Sequence, residues 1–223
     1  MVNTKRNQKN NQGVYMKFLD KPIFAFTFDT DWCPDFMVSL LLDLMEELGI
    51  KITPFLTDSR PTIEYTSVLK EYKKDMEVVG IHPRVNAQDK GSLMELSNEF
   101  RYLYPEAEGY RSHAFVDSYY LTETMSETGY KWQSNHYCHM QKNLQPIRKM
   151  NGFPMVEFPI WFEDNIWLRT LEEPKQILKD LAKPGLKVIN VHPKWVYENS
   201  GVEMMVEALA GKVDKSYYLK DLL

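Results

Sequence analysis

Short apolar segments alternate along the chain with segments whose apolar residues recur at helical spacing. The clearest apolar segment is 24–28, where aromatic residues occupy every second position, a pattern typical of a buried strand. Further strands are predicted at 50–56, 77–81, 130–134, 155–160 and 186–191. Helices are predicted at 34–49, 61–74, 92–104, 118–128, 173–182 and 201–209, and a loop at 135–152. This alternation favours an α/β fold with a parallel sheet, either open or closed into a barrel.

Two carboxylates stand at the end of the first predicted strand. Asp29 and Asp31 are separated by Thr30, so on a continuing strand both side chains would point to the same face. Two buried acids are costly unless a cation or a proton separates their roles. Ligands of α/β enzymes gather at the carboxyl ends of strands, so the pair predicts an active site.

Two other predicted strands also end in an ionisable residue. His82 follows the strand at 77–81 and His192 follows the strand at 186–191, and each is followed by proline. A single histidine after a strand is usually a structural residue. Three such strand ends, which a parallel sheet brings to one rim, favour a functional site instead.

Length and composition restrict the class of protein. The 223 residues can form one domain with a sizeable core, and we expect a polar, disordered extension over residues 1–20 and a single domain over 21–223. The formal net charge of −4 gives no reason to expect a nucleic-acid partner. We find no signal peptide and no transmembrane segment, which leads to the expectation of a cytoplasmic protein.

Five segments of the chain resemble, in order, the motifs of the polysaccharide deacetylase family, also called the NodB-homology or carbohydrate esterase family 4 enzymes. They are 27–31 (TFDTD), 82–86 (HPRVN), 109–113 (GYRSH), 158–164 (FPIWFED) and 188–192 (VINVH). The resemblance implies a distorted (β/α) barrel of the glycoside hydrolase and deacetylase type, with roughly seven parallel strands. It also implies that residues 21–223 form a deacetylase-like catalytic domain.

The resemblance assigns roles to individual residues. Asp29 is implied as the catalytic base, Arg111 as the cation that orients it, and His192 as the general acid. Asp31 and His82 are implied as ligands of a divalent metal, zinc first, with cobalt, manganese or nickel as alternatives. Trp161 and Asp164 are implied to lie near the substrate cleft; a core position for Trp161 and helix capping by Asp164 are the alternatives.

The chain departs from the family pattern at Asn86, four positions after His82, where members commonly carry a second histidine. Zinc, a borderline-soft metal, accepts nitrogen donors, so the replacement of a histidine by asparagine removes a preferred ligand. Three outcomes stay open: Asn86 is the third ligand, His113 replaces it, or metal binding is weak or absent. For His113, a partly exposed hydrogen-bonding position is the plainer alternative to ligation.

The implied activity is metal-dependent hydrolysis of an N-acyl group on a sugar or glycan intermediate, with N-acetyl as the leading candidate for that group. One alternative is hydrolysis of a non-sugar amide by the same chemistry. Another is a non-catalytic carbohydrate-binding relative that lost its metal through the change at Asn86. The joint presence of Asp29, Asp31, His82, Arg111 and His192 argues against this last alternative.

Overall fold

The structure is a computed structural model that describes residues 18, 20–30, 33–57, 80–85, 89–148, 152–170 and 173–223. Its strands are β1 (Pro22–Asp29), β2 (Ile52–Thr57), β3 (Gly80–His82), β4 (Gly109–Tyr110), β5 (Trp132–Gln133), β6 (Ile147–Arg148), β7 (Val156–Glu157), β8 (Ile160–Glu163) and β9 (Gly185–Val191). Its α-helices are α1 (Asp35–Glu47), α2 (Lys90–Leu103), α3 (Tyr119–Glu127), α4 (Asp164–Thr170), α5 (Pro174–Leu181), α6 (Pro193–Glu198) and α7 (Ser200–Ala210). Two 3-10 turns lie at His113–Phe115 and Leu219–Leu222.

The described strands form one curled sheet in the order β6-β7-β5-β4-β3-β2-β1-β9-β8. All neighbours are parallel except β6, which pairs antiparallel with β7. The result is a half-barrel, and the predicted α/β class with a distorted (β/α) barrel is confirmed. The described part of the chain contains nine strands rather than the roughly seven predicted.

The difference in strand number has a local cause. The single strand predicted at 155–160 is interrupted at Phe158 and Pro159 and becomes β7 and β8, which pair with β5 and β9 near opposite ends of the sheet. Because so short a connection spans at most about 10 Å, the two ends of the sheet must lie close together, which requires the sheet to curl. In addition, β6 forms inside the stretch 135–152 that was predicted to be a loop.

Alternate residues of β1 pack into two separate hydrophobic clusters. Phe24, Phe26 and Phe28 belong to the cluster that includes residues of α1 and α7. Ile23 and Ala25 belong to a second cluster with side chains from β2, β5 and β9. Since side chains two apart share a face of a strand, Thr27 and Asp29 follow Ile23 and Ala25 on that second face. Asp29 is therefore placed at the carboxyl end of the sheet.

Several predictions lie partly or wholly outside the described residues. The helix at 61–74, most of the strand at 77–81 and most of the extension at 1–20 belong to this group. Within the described residues, the pattern missed two short helices, α4 and α6, which lack a full helical period of apolar residues. The structure has, among the residues it describes, no helix with the length and apolarity needed to cross a membrane.

Candidate active site

Asp29, the last residue of β1, is a buried carboxylate held on both oxygens. Arg111 Nη1 donates to Oδ1 at 2.9 Å, and Asn190 Nδ2 donates to Oδ2 at 2.9 Å. Burial raises the pKa of Asp29, but the charges of Arg111, His82 and His192 and the bond from Asn190 outweigh it, so the pKa lies below the usual range. Asp29 is therefore ionised at neutral pH.

Arg111 follows β4 and is completely buried. Its Nε donates to the carbonyl of Ser134 at 3.0 Å and its Nη2 to the hydroxyl of Ser134 at 2.9 Å. The guanidinium lies over the ring of Phe55, with 4.1 Å between Cζ and the ring centroid. A buried cation is tolerable when it is paired and its hydrogens are bonded, and here Asp29 and Ser134 meet that condition.

Thr27 and Asn190 support this pair from neighbouring strands. They are direct partners in the parallel register of β1 and β9. The Thr27 hydroxyl donates to Asn190 Oδ1 at 3.0 Å. Arg111 Nη1 donates to the Thr27 hydroxyl oxygen at 3.0 Å and to Asn190 Oδ1 at 2.5 Å. The amide of Asn190 is oriented by these contacts, which directs its NH₂ group to Asp29.

Thr30 closes the end of β1 onto β2. Its hydroxyl donates to the carbonyl of Phe55 at 3.3 Å and accepts from the backbone N–H of Thr57 at 3.1 Å. The backbone N–H of Thr30 donates to the same carbonyl of Phe55 at 3.2 Å. These bonds fix the strand end immediately after Asp29.

His192 follows β9 and is oriented by Asp164, the first residue of α4. Its Nδ1 lies 2.7 Å from Asp164 Oδ1, and its backbone N–H donates to Asp164 Oδ2 at 2.7 Å. Burial lowers the pKa of His192, but the charge and hydrogen bond of Asp164, with Asp29 and Glu163, raise it to about 9. His192 is therefore an imidazolium at neutral pH, and its Nε2 lies 3.8 Å from Asp29 Oδ2.

Glu163, the last residue of β8, places a third carboxyl group beside His192. Its Oε1 is 3.9 Å from His192 Nε2, and its side chain is 5% exposed. Burial raises its pKa; His192 and Arg111 lower it and Asp29 and Asp164 raise it, with a net value of about 7. Glu163 thus titrates in the neutral range.

His82 and His113 bring two imidazole rings to the same place. His82 ends β3, and its Nδ1 is 3.9 Å from Asp29 Oδ1. The ring of His113 stands edge-on to that of His82, with centroids 5.6 Å apart. The backbone N–H of His113 donates to the carbonyl of Pro83 at 2.9 Å, which ties the loop after Arg111 to the end of β3.

The loop that carries His113 has unusual backbone geometry. Ala114 and Phe115, the next two residues, have φ of 56° and 55°, in the left-handed region that residues with a side chain seldom adopt. Phe115 stacks on Tyr137, with ring centroids 6.3 Å apart and an interplanar angle of 7°. Strained backbone of this kind is often found at binding sites, where the surrounding packing maintains it.

These groups share a cavity of about 370 Å³ at the carboxyl end of the sheet. Its lining includes the two acids Asp29 and Glu163 and the imidazole of His192, and the rings of His82 and His113. The remaining lining residues are Ala114, Phe115, Asn165, Ile166, Arg169, Lys194 and Trp195. The cavity thus holds an ionised carboxylate and a protonated imidazole within reach of one bound group.

The structure brings together five of the predicted site residues: Asp29, His82, Arg111, Asp164 and His192. It also brings His113 into the cavity. Asp164 contacts the cavity through His192, and its Oδ1 also accepts from the backbone N–H of the next residue, Asn165.

Three predicted residues are not part of this arrangement as described. Asp31 and Asn86 lie outside the described residues. Trp161 is fully buried in the core, with Lys187 Nζ 4.6 Å from its ring centroid, and it does not line the cavity. Across the described ranges, no three His, Cys, Asp or Glu side chains are grouped to hold a metal ion.

Four residues of the site, Thr27, Ser134, Glu163 and Asn190, were not predicted from the sequence to have a role in it. A signal existed for Thr27 and Asn190, since each is a polar residue inside a mostly apolar strand. Ser134 carried no such signal, because part of its role is a bond from Arg111 to its backbone carbonyl. Glu163 stood beside Asp164 in the fourth motif and was not distinguished from it.

Comparison with protein families decides the relationship. The model of the WbmS-like polysaccharide deacetylase family matches residues 26–207. The chain belongs to this family. The matched range contains every residue of the site described above. No curated protein matches the sequence.

Solved structures with the same fold are described in part as enzymes and in one case as a pseudoenzyme. A protein from Bordetella bronchiseptica, described as a polysaccharide deacetylase involved in O-antigen biosynthesis, is 25% identical, covers 86% of this chain and 85% of its own, and gives a TM-score of 0.66. A CE4 family pseudoenzyme from Bacillus anthracis is 14% identical (92% of this chain, 66% of its own; TM-score 0.55). A family 4 acetyl xylan esterase from Clostridium thermocellum, solved with a cobalt ion, is 11% identical (90% and 89%; TM-score 0.54).

Proposed function

We propose that the protein hydrolyses the N-acyl bond, N-acetyl first, of a sugar or glycan intermediate. The observation that carries this proposal is the pairing of ionised Asp29 with protonated His192, whose Nε2 is 3.8 Å from Asp29 Oδ2 at the end of a cavity of about 370 Å³. A base and an acid on one cavity are what hydrolysis of an amide requires. Membership of the polysaccharide deacetylase family supports a sugar substrate.

The proposed reaction divides the work between these two residues. Asp29 takes a proton from water while the water oxygen bonds to the acyl carbon, and Arg111 and Asn190 keep the carboxylate ionised and aimed. When the C–N bond breaks, the electron pair goes to nitrogen. His192 Nε2 gives its proton to that nitrogen, so the amine leaves as a neutral molecule. Asp164 holds the ring of His192 in place through Nδ1.

Two of the donors implied for a divalent metal line the cavity. Imidazole nitrogen is a donor that zinc and cobalt accept, and His82 and His113 both lie there, while the other two implied donors, Asp31 and Asn86, lie outside the described residues. His82 and Asp31, with Asn86 or His113, would hold the ion, with zinc first and cobalt, manganese or nickel as alternatives. When bound, the metal would polarise the acyl carbonyl and lower the pKa of water. The cobalt ion of the Clostridium thermocellum esterase, which has the same fold, supports the proposal of a divalent metal but not the choice of ligands.

The substrate proposed is an N-acetylated sugar or a glycan intermediate of surface-polysaccharide assembly. The Bordetella bronchiseptica protein, which is described as involved in O-antigen biosynthesis, supports that setting. A non-sugar amide is the alternative substrate. It is distinguished by profiling N-acetylhexosamines and their oligomers against small linear and cyclic amides.

The experiment that tests the proposed function measures acetate release by wild type and Asp29→Asn with added zinc, cobalt, manganese or nickel. Removal of the base lowers kcat/KM by about a thousandfold, within the range for a lost general base. Exposed Asp221 gives the matched control, and Asp221→Asn keeps wild-type activity. Near-UV circular dichroism checks that the folded core of each variant is preserved. Wild-type turnover by Asp29→Asn would contradict the proposal.

The sequence change at Asn86 favours one other function, a non-catalytic carbohydrate-binding protein. Metal uptake, glycan binding and acetate release, measured on the same preparation, separate the two. A wild-type protein that binds N-acetylated oligosaccharides, but takes up none of the added metals and releases no acetate, would establish the binding function instead.

A further inference from the structure

Glu163 has a position that the proposed reaction does not yet use. It is the register partner of Asn190 across β8 and β9, and Asn190 is in turn the partner of Thr27 across β9 and β1. The register of three neighbouring strands thus places Glu163 in line with Asn190 and Thr27, which contact Arg111, the partner of Asp29. Its side chain is 5% exposed and lines the cavity.

The carboxyl group of Glu163 is only partly satisfied by the described residues. Its buried Oε2 has no hydrogen-bond partner within the part of the chain that the structure describes. A buried polar atom without a partner costs about 1–3 kcal/mol. Glu157, which is buried just as deeply, provides the contrast: its oxygens accept from the Gln133 side chain and from two backbone N–H groups. Because Glu163 lines the cavity and its carboxyl group has acceptor capacity that the described residues leave unused, the group is suited to a donor on a ligand.

The distances around His192 indicate which donor this is. Its Nε2 lies 3.8 Å from Asp29 Oδ2 and 3.9 Å from Glu163 Oε1, and both separations are too long for a hydrogen bond. A polar atom bound beside His192 Nε2 and Glu163 Oε1 could lie at hydrogen-bond distance from both. In the proposed reaction, the group that receives the proton of His192 is the leaving nitrogen.

We propose that Glu163 binds the nitrogen side of the scissile amide by accepting a hydrogen bond from its N–H. This inference rests on the proposed function. The nitrogen of a secondary amide carries one hydrogen, and as the C–N bond breaks its lone pair turns to His192 and takes a second. The N–H that faces Glu163 becomes more acidic as that proton arrives. The interaction therefore strengthens in the transition state and favours amide over ester substrates.

An ester of the same sugar makes the matched comparison. Methyl N-acetylglucosaminide and methyl 2-O-acetylglucoside differ at the leaving atom only, and the ester oxygen has no hydrogen to donate. In Glu163→Leu, we expect kcat/KM for the amide to fall by about thirtyfold or more, and for the ester by about threefold or less. Glu163→Gln, which keeps the shape but not the charge, gives an intermediate loss on the amide. Equal losses on both substrates overturn the proposal, because they indicate a structural role.

A binding measurement provides a second test that needs no turnover. The probe is the glucosamine trimer with free amines, titrated calorimetrically into the intact protein. We expect Glu163→Leu to weaken binding about tenfold or more, and exposed Glu207→Gln on α7 to leave it unchanged. Wild-type affinity in Glu163→Leu, or no binding by the wild type, overturns the proposal.

The two experiments together keep this inference separate from the proposed function. A wild-type protein that binds the amine trimer through Glu163 but releases no acetate contradicts the hydrolase and leaves the amine site standing. A wild-type protein that releases acetate, with both substrates equally affected by Glu163→Leu, contradicts the role of Glu163 and leaves the hydrolase standing.

Discussion

At the scale of single residues, the state of His192 depends on its carboxylate neighbours. Asp164 bonds its Nδ1, and Asp29 and Glu163 lie close to its Nε2. Burial alone would make the ring a weaker base, and these three groups reverse that effect and raise its pKa to about 9. A buried histidine is thus kept charged, which suits a proton donor working at neutral pH.

Substitution of Asp164 tests this control of the proton. His192 is active in its protonated form, so wild-type kcat/KM is lost as the pH rises through the His192 pKa of about 9. Asp164→Asn removes the largest charge that raises this pKa, and the alkaline limb therefore moves to lower pH, by about one unit or more. The measurement is the pH profile of kcat/KM for acetate release.

Asp221→Asn, which changes an exposed acid away from the cavity, provides the control for that profile. Its alkaline limb stays at the wild-type position. If the limb of Asp164→Asn also stays there, with only a lower plateau, then Asp164 positions the ring without setting its proton affinity.

At the scale of elements, the support of Arg111 runs across β2 and β3. Gly80 and Phe55 are register partners on these strands. A Cβ built on Gly80 would lie 2.6 Å from two carbons of the Phe55 ring. The Arg111 guanidinium also packs against this ring, with its Cζ 4.1 Å from the ring centroid. The absence of a side chain at position 80 therefore allows the ring to lie where Arg111 needs it.

Gly80→Ala is predicted to displace the Phe55 ring and, through it, Arg111. We expect a loss of about 1–3 kcal/mol in the free energy of unfolding, which is typical of overpacking. We also expect a lower kcat/KM, since Asp29 loses part of its support. Urea denaturation and acetate release measure the two effects. Gly91→Ala near the start of α2 is the control, because a Cβ there would meet only Oδ1 of the exposed Asp89 side chain, at 3.3 Å, and equal stability of the two variants would contradict the prediction.

Elements with a long repeating pattern could be predicted from the sequence. The strand predicted at 186–191 is observed as Gly185–Val191, and the helix predicted at 34–49 as Asp35–Glu47. Strands of two residues such as β4 and β7 contain too few positions to show alternation. The break at Phe158 and Pro159 was missed for a related reason: apolar residues continue through it, and the change of partner strand is a tertiary property.

At the scale of the whole molecule, the curled sheet gathers distant residues at one rim. Arg111 and Asn190 are 82 and 161 positions from Asp29, yet both bond to its carboxylate. The motif order allowed Asp29, His82, Arg111 and His192 to be predicted as site residues, and the structure places them together. The supporting contacts of Thr27, Asn190 and Ser134 depend on strand register, which no single segment of sequence contains.

Metal binding is also a property of the whole molecule, because an ion bound only by the folded state raises its stability. At a zinc concentration about 100 times Kd, the gain is about 2.7 kcal/mol, or roughly 5–10 °C in Tm for a chain of this size. We expect His82→Gln to abolish the zinc-induced rise in Tm, since His82 is implied as a ligand in every assignment. His136→Gln, which changes a histidine outside the cavity, keeps the rise.

Two further variants identify the third ligand. Loss of the zinc-induced rise in His113→Gln assigns His113, and a larger rise in Asn86→His assigns position 86. The measurement is thermal unfolding with and without zinc, and a full rise in His82→Gln would contradict the metal site proposed here.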